Sequence, residues 1–99
     1  RVKLIRSGGI LAYSSDTEPC QTVEDLARGS DILIHESTGT SFGHSTPRQA
    51  GEVAQKANAK ALYLIHYPAG VDEDKWLAEA RSTFAGPVFL AQDYLRIDL

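Results

Sequence analysis

Ninety-nine residues, 42% of them hydrophobic and 23% charged, are enough for one small core, because a chain of this size buries only about two thirds of the surface it exposes when unfolded. No apolar run approaches the roughly 20 residues needed to cross a bilayer, and the balance is that of a globular chain rather than a disordered or membrane-spanning one. A net charge of −3 gives no basic footprint for nucleic acid, so composition alone points to no such partner.

Taken in chain order, alternation and β-branched residues predict strands over Val2 to Ile5 and Ile10 to Ser14, joined as a hairpin through Ser7-Gly8-Gly9. Thr22 and Asp25 have capping-box spacing. Val23, Leu26 and Ala27 then give a short helix an apolar face before Arg28-Gly29 ends it. Ile32-Leu33-Ile34 is a continuous apolar run of the kind that forms a strand buried on both faces.

Thr46-Pro47-Arg48-Gln49 is the clearest helix start, with a hydroxyl cap, proline at the first helical position and glutamine at the third. Ala50, Val53, Ala54 and Ala57 follow at helical spacing, and Asn58 is the predicted stop. Ala61 to Tyr67 reads as a strand leading to His66. Asp72 caps a third helix, with Val71 and Trp76 spaced as a hydrophobic staple and Leu77, Ala80 and Phe84 facing inward. Gly86-Pro87 closes it, and Val88-Phe89-Leu90 and Leu95-Arg96-Ile97 read as final strands. The order predicts an α/β layer in a single domain or half-domain spanning residues 1–99.

Four short segments carry the chemistry: Ser14-Ser15-Asp16-Thr17, His35-Glu36-Ser37-Thr38, Gly43-His44-Ser45-Thr46 and Leu64-Ile65-His66-Tyr67. All three histidines lie in them. Each segment stands where a predicted strand ends or a loop precedes a helix, and in α/β sheets groups collected beyond the carboxyl ends of strands can converge on one crevice. Taken singly, Asp16 reads as a turn cap, His66 as a core residue at the rim of a sheet, and His44 as a loop histidine beside the free amides of a helix start, a place that suits an anion. Glu36 after a buried strand needs a partner. Whether Glu36 or His35 faces the crevice is open, since adjacent strand residues point to opposite faces. Asp93, after Ala91-Gln92, reads as a turn. Cys20, the only cysteine, cannot form an internal disulfide; it reads as a packing residue, and a cytoplasmic setting is expected.

In wording and order these four segments resemble the C-terminal half of metallo-β-lactamase-fold hydrolases. They are most similar to the ribonuclease Z-like branch, where a strand ends in Ser-Gly-Asp-Thr, a His-Glu-Ala-Thr loop and a Gly-His-Ser-Thr loop follow, and a later strand ends in His. The departures are Ser15 for glycine and Ser37 for alanine. The resemblance implies half of a four-layer αβ/βα sandwich and a hydrolase with two Zn2+ ions in the complete protein. It makes Asp16 a metal-bridging carboxylate, His66 a metal ligand, His44 a catalytic auxiliary and Glu36 an acid that orients a neighbouring imidazole. It further implies a phosphodiester substrate such as precursor tRNA, a homodimer and no membrane association. The His-x-His-x-Asp-His segment that supplies most ligands in these enzymes is missing. Together with the lack of any Met and an opening directly on a strand, that leads us to expect a fragment of a longer chain, inactive by itself. The alternatives are another hydrolase of this fold, acting on a small-molecule phosphodiester, sulfate ester, lactone or thioester, and a non-catalytic α/β binding domain.

Overall fold

A five-stranded sheet carries the fold, its strands lying side by side in chain order: β1 (Val2–Arg6), β2 (Gly9–Tyr13), β3 (Ile32–Glu36), β4 (Ala61–Ile65) and β5 (Val88–Leu90). The computed structural model describes residues 2–6, 8–40, 42–92 and 95–97. β1 and β2 pair antiparallel with Arg6 opposite Gly9, as the hairpin reading expects. The three remaining pairings are parallel. Parallel neighbours need crossovers, and these are α1 (Gln21–Ala27), α2 (Pro47–Ala57) and α3 (Glu73–Arg81).

Right-handed crossovers between successive neighbours all turn the same way, so the helices gather on one face of the sheet. The register shows which face. Ala12, Leu33, Leu62 and Val88 stand in one row across four strands, and none is more than 2% exposed. With Val23 and Ala27 of α1, the alanines and Val53 of α2, and Ala80 of α3, they make the core. The adjacent row, Tyr13, Ile34, Tyr63 and Phe89, points to the opposite face and is only partly covered, with Phe89 45% exposed and stacked on Tyr63 at 4.9 Å.

The α2 start forms as predicted: Thr46 Oγ1 accepts from the Gln49 amide at 3.1 Å and the Thr46 amide donates to Gln49 Oε1 at 2.9 Å. Asn58 ends the helix with φ +56°, and Asp72 Oδ1 caps α3 by accepting from the Lys75 amide at 3.2 Å. Three expectations are corrected. The N-cap position of α1 is Cys20, whose side chain does not cap the helix, rather than Thr22, because the preceding segment is tied down through Thr17 and Cys20 packs on the core. β3 does not stop at Ile34 but continues through His35 and Glu36, paired with Leu64 and Ile65. Residues 95–97 form no strand. Asp93 lies outside the described residues. Among the described residues, no helix is long and apolar enough to cross a membrane.

Candidate functional site

Two strand ends bring Asp16 and His66 together. After Tyr13 the β2 chain makes one more main-chain bond to β3, from the Ser14 amide to the Ile34 carbonyl, and then turns at Ser15 with φ +53°. Asp16 follows. His66 succeeds the last residue of β4 and itself takes φ +56°. A left-handed conformation costs a residue with a side chain about 1 kcal/mol or more, and such strain is found where a site imposes it. Asp16 Oδ1 and His66 Nδ1 meet at 2.6 Å, with about half of each side chain open to solvent.

Beside this pair lies a second, drier group built on Glu36, the final residue of β3, which is fully buried. Its Oε2 accepts from the Thr38 amide at 2.9 Å and its Oε1 from the Ser45 amide. His44 Nδ1 lies 3.5 Å from Oε2, close enough for attraction and too far for a formed hydrogen bond, as is common before substrate tightens a site. Ser45 is equally buried, and its hydroxyl donates to the Thr17 carbonyl. One residue thus fastens the His44 loop both to Glu36 and to the segment carrying Asp16. Sequence reasoning missed Ser45, because a serine ahead of a Thr-Pro helix cap gives no sign that its amide is aimed at an acid nine positions upstream.

The open choice between His35 and Glu36 is resolved by the pleat. Glu36 faces the site, whereas His35 points to the helix-covered side and is fully buried. His35 Nδ1 donates to the Glu36 carbonyl at 2.8 Å. Burial pushes the imidazole below its usual 6.5, and it is neutral at pH 7. Cys20 is partly buried against the core, as its packing reading expects.

Ligand atoms of Asp16, Glu36 and His44 all lie within 4.8 Å of one another. The oxygens of Glu36 are already engaged by two amides, which makes it a clamp rather than a free donor. Among the described residues no main-chain amide engages the side chains of Asp16 and His66, which meet each other, and a carboxylate with an imidazole is a donor set that suits zinc and similar cations. Two ligands fall short of the four that zinc usually takes. His66 helps to wall a hollow of about 660 Å³ with Ile65, Tyr67, Ala91 and Gln92, and His44 a smaller one of about 370 Å³ with Glu18, Pro19, Phe42 and Gln49.

No family model matches the chain. Ribonuclease Z of Myxococcus xanthus is 38% identical to it over 104 aligned positions, taking in 95% of this chain and 34% of that protein. Ribonuclease Z of Picrophilus torridus is 36% identical over 104 positions, with 96% and 33% covered. Among solved structures, the metallo-β-lactamase fold protein YhfI from Bacillus subtilis superposes with a TM-score of 0.83 at 25% identity, over 91% of this chain and 40% of that one. The chain is ribonuclease Z-like, of the metallo-β-lactamase fold.

It spans about a third of the length of the curated relatives it matches. A diphosphatase from the PhnP family is a further structural neighbour of this ribonuclease Z-like segment, with a TM-score of 0.70 at 26% identity over 92% of this chain and 37% of that one. Where the ribonuclease Z-like motif has glycine before its aspartate, this chain holds Ser15 in a left-handed conformation. That backbone is the reason glycine suits the position.

Proposed function

We propose that these 99 residues are the C-terminal part of a metal-dependent phosphodiesterase resembling ribonuclease Z, with the remaining metal ligands supplied by polypeptide outside them. The observation that carries this reading is the 2.6 Å meeting of Asp16 and His66 across fifty positions of sequence, with the Glu36–His44 pair alongside. In this reading Asp16 and His66 would help to hold two zinc ions, with Asp16 shared between them and His66 serving one. When bound, the metals supply a water of lowered pKa and neutralise charge on the substrate oxygens.

The chain's own residues do the rest. Glu36 and Ser45 fix the loop that presents His44, and the position of Nδ1 toward Glu36 leaves Nε2 as the nitrogen that can hold or deliver a proton at the leaving oxygen. The start of α2 beside His44 favours an anionic group there. The ribonuclease Z relatives support an RNA substrate, and the resemblance makes precursor tRNA the first one to try. The structural likeness to a diphosphatase supports a second reading, a small-molecule phosphoester. Action in the cytoplasm and assembly as a homodimer belong to the same proposal, the first resting on the lone Cys20 and the second on the resemblance alone.

The full-length protein should be assayed for metal content and against precursor tRNA, an aryl phosphodiester, a nucleoside diphosphate and an aryl sulfate. Cleavage of precursor tRNA that is lost on chelation and regained with zinc is the expected result. A preparation free of transition metal, with no hydrolysis of any of the four, would favour a non-catalytic binding domain.

A further inference from the structure

Main-chain groups along a strand point alternately to its two neighbours. In β3 the Ile34 carbonyl faces β2, where it accepts from the Ser14 amide, and the Ser37 amide faces β4, where it donates to the Ile65 carbonyl. The amide and carbonyl of Glu36 therefore face β2. There β2 is no longer present: its pairing with β3 ends at Tyr13 opposite Ile34, whereas β3 and β4 stay paired through Glu36 opposite Ile65. The departure of β2 at Ser15, which delivers Asp16, strands two buried main-chain groups on the residue that anchors the His44 loop.

Two side chains fill the gap. Ser14 Oγ accepts from the Glu36 amide at 3.1 Å and donates to the Ser15 carbonyl at 2.8 Å, which ties the peptide ahead of Asp16 to that of Glu36. His35 Nδ1 takes the Glu36 carbonyl at 2.8 Å. A carbonyl only accepts, so the proton sits on Nδ1 and the other ring nitrogen carries a bare lone pair. That Nε2 is buried with no partner among the described residues, a cost that a leucine or phenylalanine of similar bulk would avoid. Packing alone does not account for histidine here, whereas the donor at Nδ1 does.

We infer that Ser14 and His35 are positioning residues for Glu36: their side chains replace the missing strand ladder and hold the Glu36 carboxylate where it clamps Ser45 and faces His44. The catalytic consequence rests on the phosphodiesterase reading above. The bracket itself rests only on the geometry of these residues.

The test uses the full-length protein with the variants His35→Phe, His35→Asn and Ser14→Ala. An asparagine amide can reach the place of Nδ1–H; a phenyl ring fills the space without a donor. We expect His35→Phe to lower kcat by about 10- to 100-fold with KM and metal content unchanged, the loss typical of removing a residue that orients a catalytic group. His35→Asn should restore most of it. Independently of activity, amide hydrogen exchange at Thr38 and Ser45, whose N–H groups Glu36 holds, should accelerate in His35→Phe and Ser14→Ala and stay slow in His35→Asn. Unchanged kcat and exchange in His35→Phe would overturn the inference, and so would equal loss in the phenylalanine and asparagine variants, which would mark a space-filling role. If His35→Phe does not fold, fast exchange at Ser45 in Ser14→Ala decides for the bracket and slow exchange against it. If the wild-type protein hydrolyses no phosphodiester, the exchange results still decide the bracket, and only the phosphodiesterase reading falls.

Discussion

Asp16, His44 and His66 stand within a few ångströms of Glu36 or of each other, yet their surroundings differ, and on the proposed reading so do their roles. Asp16 and His66 are half open to solvent and touch each other, whereas His44 sits against a buried carboxylate. In the full-length protein, Asp16→Ala and His66→Ala should each reduce bound metal, read by elemental analysis. His44→Ala should keep the metal and lower kcat by about 100-fold or more, the usual worth of a positioned acid or base; equal metal loss in all three would contradict this division. Ser15 offers a test of strain. Because it is held at φ +53°, Ser15→Gly should be more stable than Ser15→Ala by about 1 kcal/mol, read by denaturant unfolding, since both variants lose the hydroxyl and only glycine is at ease in that conformation. The convergence of Asp16 and His66 was legible in the sequence only through the resemblance of the four segments, since taken singly each has an ordinary structural reading. Ser45 and the orientation of His35 were not, since main-chain amides and the phase of a strand leave no mark in residue type.

At the level of helices and strands, local chemistry predicted α2 and α3 well and α1 less well. The Thr46-Pro47-Gln49 cap acts within a few residues and nothing tertiary opposes it. At α1 the start is set by what holds Thr17 and Cys20, so the Thr22 spacing is overridden and Asp25 turns instead to Gln21 at 2.9 Å and Arg28 at 3.1 Å. Gly51 is a second case of tertiary override. Helix propensity favours alanine there by about 1 kcal/mol, but an added Cβ would lie 2.5 Å from the Ala80 carbonyl oxygen of α3. Gly51→Ala should therefore destabilise by about 1–3 kcal/mol, the range for overpacking, and a rise in melting temperature would show that α3 can yield. Asp31 joins three strand starts: it accepts from the Ile10 amide at 2.7 Å and from Lys60 Nζ at 3.0 Å. The Ile10 amide first, and then Lys60, hold its carboxyl below the usual 3.8. A carboxylate with a depressed folded-state pKa stabilises the fold above its unfolded value and loses that contribution as pH falls through the folded value. Asp31→Asn should thus lower the melting temperature at pH 7, and the difference from wild type should shrink on acidification below 3.8. A difference independent of pH would mean that the carboxyl's charge is not what binds the strands.

Across the whole molecule the sheet is finished on one face and unfinished on the other. The helix side is dry, from Ala12 across to Val88, while Tyr13, Ile34, Tyr63 and Phe89 form an apolar row that the described residues cover only in part. Such a row is ordinary for a surface awaiting another layer and a liability on a free-standing domain. The site has the same one-sidedness. Asp16, His44 and His66 all emerge at the carboxyl edge of the parallel strands, and they provide only two half-exposed donors where a zinc ion usually takes four. On the proposed reading both deficits have one physical remedy, further polypeptide laid against the open face with ligands of its own. The isolated 99-residue segment should accordingly self-associate in sedimentation experiments, retain little zinc after gel filtration and hydrolyse no phosphodiester at a measurable rate. Adding the separately produced remainder of the protein should suppress the self-association and restore metal binding in a one-to-one complex. Metal-dependent turnover by the segment alone would show that its own residues complete the site, and the division of ligands between two parts of a longer chain would then be wrong.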